Sequence, residues 1–396
     1  MGVDEPSISQ EALSACILIV DDVELNRLLI SSYLGKSGFE NLHFAVDGLD
    51  ALDKVKKLNP DIVILDLIMP NMDGFEVCRA LRQDELYVDL PILIQTAMSE
   101  PEERAEAFEA GATDLVSKPL SPLELVSRTR IHLENRIMLR DLKGYRSRLT
   151  RDLEVAREMQ KALMPGRNFL QQVEQSHRVR VRYNYESSDE LGGDFWGMRV
   201  MEDGRLFFYI VDFAGHGVTA ALNTFRLHSL IDHAENIPSP EIYLKELNRQ
   251  LHRLLPVEQY ATMLCGYIDV PAGTLVYSSA ASTTPMIGRQ GSGEIRLLDP
   301  TGYPLGAMAE ASFERREVSF ATGDLLFLYS DVLTETPDRS GVPLGDEGLE
   351  ELFRKSLLDN RAGLTVCEVM SENIEQTLCP PYQDDMTAVF LRALET

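Results

Sequence analysis

The stretch LFFYIVDFAGHG, Leu206–Gly217, runs six apolar or aromatic residues straight into a carboxylate, Asp212. After it come Gly215 and Gly217, which flank His216 and lead into TAALNTFRLHSLIDHA, a segment with helical spacing. A run of that length and aromatic content reads as a buried strand, and the glycines as a tight turn before a helix. Asp212 at the mouth of the strand has two readings. It caps the following helix, or it offers oxygen to a metal ion. The second reading needs partner carboxylates elsewhere in the chain.

The rest of the second half supplies them. HRVRVRYNYES, RLFFYIVDF, ATMLCGYIDV, GTLVYSSAAS, DLLFLYSD and MTAVFLRAL read as strands, interleaved with helical TAALNTFRLHSLIDHA, PEIYLKELNRQLHRLL and LEELFRKSLL. Hairpin turns such as PAGT predict antiparallel pairing, with the helices outside the sheets. Asp194 stands in LGGDFW, Asp331 in LYSDVLTE after a strand, and Asp384 and Asp385 in QDDMT just before one. Together with Asp212, carboxylates at strand ends and turns fit the oxygen ligands of a dinuclear Mg²⁺ or Mn²⁺ site, whereas zinc favours His and Cys. Such a site binds a phosphate ester and activates a water without a protein nucleophile. No Ser-His-Asp or cysteine-based signature accompanies it in this half.

The first half has a different rhythm. CILIV is followed by ELNRLLISSYLGKSG, LHFAV by DGLDALDKVKKL, DIVILDL by DGFEVCRALRQ, PILIQTA by PEERAEAFEAG, and DLVSKPL by SPLELVSRTRI. Five strand–helix pairs predict a doubly wound five-stranded parallel α/β sheet, with its site beyond the carboxyl ends of the strands. Asp21 and Asp22 follow the first strand, Asp66 ends the third, Thr96 ends the fourth, and Lys118 follows the fifth. Crowded carboxylates of this kind call for a hard divalent cation such as Mg²⁺. A phosphoryl group arriving at Asp66 would be held by the charge of Lys118 and the hydroxyl of Thr96.

Between the halves, residues 122–164 contain no proline after Pro122 and a single glycine, Gly144. Ile131, Asn135, Met138, Leu142, Tyr145, Leu149, Asp152, Ala156, Met159 and Leu163 recur at alternating spacings of three and four. That is a heptad seam, in which Asn135 and Asp152 weaken the pairing and fix its register. A long helix lying on its own domain is the alternative; a parallel dimeric coiled coil is the favoured reading, because the Arg-rich outer face leaves little to pack on a globular surface. Pro165-Gly166 closes the helix. The expected organisation is a domain over 15–121, a helical linker over 122–164 and an α+β domain over 165–396.

Composition narrows the partners. With 396 residues the chain has room for two or three domains. A formal net charge of −25 argues against gripping nucleic acid or an anionic membrane. Five scattered cysteines, with no ligand spacing, read as reduced thiols and hence a cytoplasmic setting. The N-terminal MGVDEPSISQEALSA has no basic or apolar leader character, and no run of 18 or more apolar residues occurs, so neither export nor a membrane span is expected.

Two resemblances follow from these motifs. LIVDD, LDLIMPNMDG and SKP, within Ala15–Leu133, resemble the CheY-like receiver domain of response regulators. That resemblance implies Asp66 as phosphoacceptor, Asp21 and Asp22 as the acidic pair holding Mg²⁺ with Asp66, Thr96 and Lys118 as switch residues, and a sensor histidine kinase or other phosphoryl donor as partner. Leu115 stands where many receivers carry a switch Tyr or Phe, so an aromatic rotamer flip is unavailable. From Leu153 to Leu394, AREMQKALMP, LGGDFWG, VDFAGHGVTAAL, GYPLG, GDLLFLYSDVLTE and DDMT resemble the SpoIIE-like branch of the PPM metal-dependent serine/threonine phosphatases. By that likeness Asp194, Asp212, Asp331 and Asp384, with the Phe213 carbonyl, hold two Mn²⁺ or Mg²⁺ ions, while His216 positions the turn.

Two departures accompany the second resemblance. Val332 follows Asp331 where the family has glycine, and Ser282 lies in a segment that usually carries a histidine. A valine disfavours the positive φ that glycine tolerates, so a reshaped Asp331 loop is expected. The whole arrangement is similar to RssB-type response regulators, which present the general-stress sigma factor to a AAA+ protease. It is also similar to receiver-phosphatases acting on phosphorylated anti-sigma-factor antagonists. The phosphatase reading is favoured, because a pure binding surface has no need of crowded, mutually repelling carboxylates.

Overall fold

The computed structural model describes residues 9–97, 101–188, 191–215, 217–233, 239–256, 258–359, 361, 364–380, 382 and 384–395. It divides into two compact units, Met1–Leu149 and Thr150–Thr396.

The first unit opens with α1 (Gln10–Leu13) and then alternates: β1 (Ile17–Val20), α2 (Glu24–Lys36), β2 (Leu42–Ala45), α3 (Gly48–Leu58), β3 (Ile62–Asp66), α4 (Gly74–Arg82), β4 (Ile92–Thr96), α5 (Pro101–Glu109), β5 (Asp114–Ser117) and α6 (Pro122–Lys161). The five strands are parallel, in the order β2-β1-β3-β4-β5. Successive residues of β1 and β3 serve opposite layers. Leu18, Val20, Val63 and Leu65 pack with Val55, Val77 and Leu81, while Ile17, Ile19, Ile62 and Ile64 pack with Ile30, Leu34, Leu125 and Leu133. Burial on both faces explains their unbroken apolar character. Asp47 caps α3, and Asp73 with Glu76 forms a capping box on α4.

Helix α6 runs unbroken for 40 residues. Its first turns do lie on their own unit, through Leu125, Leu133 and Ile137, which share one face at multiples of four. The heptad seam is a different face: Ile131, Met138, Leu142, Tyr145, Leu149 and Met159 are exposed, Met138 at 69%. The helix stops at Lys161, so Leu163 falls in the closing turn, whose N–H bonds back to the Gln160 carbonyl. The extrapolated seam is one position too long because that turn tightens before Pro165.

The second unit comprises α7 (Arg167–His177), β6 (Val179–Glu186), β7 (Phe195–Val200), β8 (Leu206–Phe213), α8 (Val218–Asp232), α9 (Pro240–Leu254), β9 (Ala261–Asp269), β10 (Thr274–Ala280), β11 (Met286–Arg289), β12 (Ile295–Leu297), β13 (Arg316–Ser319), β14 (Asp324–Tyr329), α10 (Val332–Glu335), α11 (Gly345–Leu358), α12 (Val366–Thr377) and β15 (Met386–Ala393). Two five-stranded antiparallel sheets, β13-β10-β9-β8-β7 and β12-β11-β14-β15-β6, share an inner core that includes Trp196, Phe208, Ile210, Val181, Leu328 and Val389. Outside the first sheet, Leu227 of α8 and Leu244, Leu247 and Leu251 of α9 cover Phe207, Tyr209 and Val211. Outside the second, Phe353, Leu357, Met370 and Ile374 cover Phe327, Tyr329 and Phe390. The opening run LFFYIV is therefore continuous for a physical reason: alternate residues of β8 point into the sandwich and under the helices, and neither set meets water. No helix among the described residues is long and apolar enough to cross a membrane.

Candidate metal centres

In the first unit the strand ends converge as the topology requires. Asp21, Asp22 and Asp66 bring one carboxylate oxygen each to within 4.8 Å of one another. Asp21 is fully buried and accepts the Val23 N–H at 2.9 Å and the Asn26 amide at 3.0 Å. Asp66 accepts the N–H of Leu67 at 2.8 Å through Oδ1, and its Oδ2 lies 2.7 Å from Lys118 Nζ. Burial raises the Asp66 carboxyl above its ordinary range, against the hydrogen bond and charge of Lys118. Lys118 is also 3.6 Å from Asp21, and its N–H donates to the carbonyl of buried Thr96 at 2.7 Å. Glycine is required at 74, where a Cβ would come 2.6 Å from the Asp66 carbonyl. An all-oxygen, partly buried set of three carboxylates suits Mg²⁺.

In the second unit, each sheet delivers a pair. Antiparallel β7 and β8 pair Phe195 with Val211, which sets Asp194 beside Asp212. In the other sheet Tyr329 pairs with Ala388, and the Ser330 N–H bonds the Thr387 carbonyl, which sets Asp331 near the Asp384-Asp385 turn. Among the described residues these carboxylates do not bring three oxygens within 4.8 Å of one another as the receiver trio does, but they act on one another electrostatically. Asp212 is pushed up to about 7 by burial and then by the charges of Asp331, Asp384 and Asp385, partly offset by a hydrogen bond with Asp194. Asp194, 2% exposed, is raised by burial and by Asp212 while Thr387 Oγ1 donates to it at 2.6 Å. Burial, Glu335 and Asp384 raise Asp331. Among the described residues no lysine or arginine forms an ion pair with Asp194, Asp212 or Asp331. Desolvated carboxylates left without cationic side chains are the donor set that hard divalent ions neutralise. The Phe213 carbonyl lies in the same place, 3.0 Å from where a Cβ on Gly193 would stand.

Residues 17–130 match the family model "Response regulator receiver domain", and residues 202–394 match "Stage II sporulation protein E (SpoIIE)". The chain is a response-regulator receiver domain joined to a SpoIIE-type PP2C phosphatase domain. Its receiver is 38% identical over 114 residues to the DNA-binding dual master transcriptional regulator RpaA of Synechocystis, covering 29% of this chain and 47% of that protein. It is 39% identical over 121 residues to the transcriptional regulatory protein YvrH of Bacillus subtilis, covering 31% and 50%. The chain thus spans about half the length of these curated relatives. The SiaA-PP2C domain of Pseudomonas aeruginosa shares the fold of the second unit, with a TM-score of 0.53 and 21% identity over 63% of this chain and 98% of that one.

Asp331 has φ −62° and ψ −24°, and Val332 begins helix α10 as a buried residue. Valine therefore stands at a helix start and not at a positive φ. In the other departing segment, Ser282 Oγ donates to the Thr283 carbonyl at 3.0 Å and Thr283 Oγ1 donates to the carbonyl of Tyr329, two residues before Asp331. His216 lies outside the described residues.

Several residues around the PP2C carboxylates have roles that spacing does not reveal. Asp385 is 1% exposed and accepts the N–H of Ser188 at 2.9 Å, of Asp194 at 3.3 Å and of Gly193. It holds the LGGD loop, while its neighbour Asp384 faces the cluster. Ser330 Oγ donates to the Asp385 carbonyl at 2.9 Å and accepts the Thr387 N–H at 2.9 Å, tying the two strand ends together. The doubled aspartate in QDDMT was the only signal in the sequence for this division of labour.

Proposed function

We propose that the chain is a two-component response regulator in which phosphorylation of Asp66 controls a metal-dependent protein serine/threonine phosphatase. The observation that carries the hydrolytic half is the raised Asp212 carboxyl, about 7, among Asp331, Asp384 and Asp385 with burial and no paired cation. Asp194, Asp212, Asp331, Asp384 and the Phe213 carbonyl would hold two Mn²⁺ or Mg²⁺ ions. Bound there, the ions supply Lewis acidity and a water of lowered pKa for attack on a phosphate ester. The chain's own contribution is to bury and orient those oxygens: Thr387 and Asp385 fix Asp194 and its loop, and the β7–β8 pairing fixes Asp212.

In the receiver half, Asp21, Asp22 and Asp66 would hold Mg²⁺, and Lys118 and Thr96 would receive the phosphoryl oxygens. A sensor kinase or small phosphoryl donor supplies the phosphate. The substrate is a phosphoserine or phosphothreonine protein of the anti-sigma-factor-antagonist kind. The adaptor alternative, presentation of a sigma factor to a AAA+ protease, gives no role to carboxylates whose crowding costs stability.

The test is hydrolysis of a phosphoserine protein with Mn²⁺, comparing wild type with Asp212→Asn. Loss of about 100-fold or more is expected, in line with removal of a charged ligand from a catalytic metal site. Equal rates, or no hydrolysis by either protein, would remove the phosphatase reading; in the second case, binding without turnover would favour the adaptor.

A further inference from the structure

Strand β6 lies at the edge of the second sheet of the phosphatase domain, with β15 as its one neighbour. The Arg178 carbonyl accepts the Leu394 N–H at 2.7 Å, so Arg180, Arg182, Asn184 and Glu186, in step with it, are the residues that bond to β15. Val181, Tyr183 and Tyr185 therefore turn their N–H and C=O groups the other way, to a free edge. The Val181 carbonyl is met there by Arg182 Nη1 at 2.9 Å. Among the described residues no strand pairs with this edge.

The edge lines an open groove of about 1020 Å³, walled on one side by Leu170 and Gln171 of α7 and on the other by α12. The α12 wall is regular: Glu368, Ser371, Glu372 and Glu375 recur at spacings of three and four, on one face of the helix. Strand and helix run in step. Arg182 acts electrostatically on Glu368, and Asn184 Nδ2 donates to Ser371 Oγ. At the far end, burial and then the charges of Glu186 and Glu375 raise the Tyr382 hydroxyl. The charged lining is five glutamates against two arginines, Arg167 and Arg182. Glu174 is paired with Arg180 and Glu372 with Arg361, each at 2.7 Å, but neither Glu186 nor Glu375 forms an ion pair among the described residues.

We propose that β6 is a docking edge: an extended segment of a partner protein, with lysine or arginine at alternate positions, adds to the sheet beside β6 and turns its cations to the glutamates of α12. Main-chain pairing supplies the affinity, and the alternate cations supply the selection. Two residues of strand advance about 6.8 Å and one turn of helix about 5.4 Å, so successive cations meet successive turns of α12. In antiparallel addition, residues opposite each other share a face of the sheet. The partner's cations then stand opposite Asn184 and Glu186, while the residues opposite Tyr183 and Tyr185 give their N–H groups to β6. A second copy of this chain, with its net charge of −25, would bring more negative charge to a groove that already has an excess of it. The inference does not rest on the hydrolytic reading, since it uses neither metal ions nor Asp212.

The experiment is fluorescence anisotropy on the full-length chain, with a fluorescein-labelled peptide of seven residues in which lysine alternates with valine. Binding should weaken as salt rises, and a peptide carrying glutamate in place of lysine should not bind. Glu186→Lys combined with Glu375→Lys, both at exposed positions, should weaken binding by about tenfold, as two attractive pairs give way to repulsion. Strand pairing is tested on the peptide, which leaves the protein intact. N-methylation of the valines removes the N–H groups offered to β6 in antiparallel addition and should abolish binding, whereas N-methylation of the lysines should be tolerated; the reverse pattern supports addition in the parallel sense. Unchanged affinity of both methylated peptides overturns the proposal, as does wild-type affinity in the double variant. A peptide affinity that falls as protein concentration rises would place a second copy at the edge, and overturns it too. Asp212→Asn should bind the peptide as wild type does, so failure of the hydrolytic reading leaves this one standing.

Discussion

At Asp212 the competing physical effects can be ranked. Burial and three neighbouring carboxylates raise it, and a hydrogen bond with Asp194 lowers it; the raising effects win and the group reaches about 7. Its folded pKa exceeds the value of about 3.9 for an unfolded aspartate. The site's contribution to stability is therefore full below about pH 4 and is lost as pH rises through about 7. Metal-free protein should show a fall in thermal midpoint across that window that is shallower in Asp212→Asn, and Mn²⁺ should restore the midpoint of wild type at pH 8 by mass action. Identical metal-free pH profiles for the two proteins would mean that Asp212 is not strained by its neighbours. The acidic residues themselves were legible in the sequence, because each stands at the end of an apolar run or beside glycines. The tasks of Asp385 and Ser330 were not, because a hydrogen bond spanning 55 or 192 residues leaves no spacing to read.

At the scale of elements, strand and helix identities followed from periodicity for most long elements, but not for α7 and α12, of 11 and 12 residues. The short members β11, β12 and β13, of three or four residues, carry too few positions for alternation to stand out. β7 was missed for another reason: FWGMRV begins inside a motif whose glycines and aspartate read as loop. The valine after Asp331 stands at a helix start, which needs no left-handed residue. In α6 two faces are superimposed. The receiver-facing one, Leu125, Leu133 and Ile137, is buried, and the heptad face that includes Met138, Leu142, Tyr145 and Leu149 is exposed. We propose that a second copy of the same helix covers this apolar stripe, giving a parallel dimer. Leu142→Glu with Leu149→Glu should therefore convert a dimer to a monomer in sedimentation equilibrium, without lowering the receiver's own thermal midpoint. A wild-type monomer at tens of micromolar would refute the pairing.

For the whole molecule, the order receiver, helix, phosphatase domain places the phosphoryl-accepting site and the proposed hydrolytic site on either side of one helix in the chain. Coupling requires two states that phosphorylation stabilises unequally. With Leu115, 2% exposed within the apolar core, no aromatic side chain at that position can report the state of Asp66. We propose the face formed by α5, β5 and α6 as the route, with α6 carrying the change through its pairing or register. On that proposal, phosphatase rate is the direct readout of receiver phosphorylation. The decisive measurement is the rate of Mn²⁺-dependent hydrolysis of a phosphoserine protein by wild type and Asp66→Asn, each with and without a small-molecule phosphoryl donor. A rate that changes severalfold with the donor in wild type and stays fixed in Asp66→Asn is the expected result. Equal wild-type rates with and without the donor, under conditions in which Asp66 is shown to be phosphorylated, would contradict it.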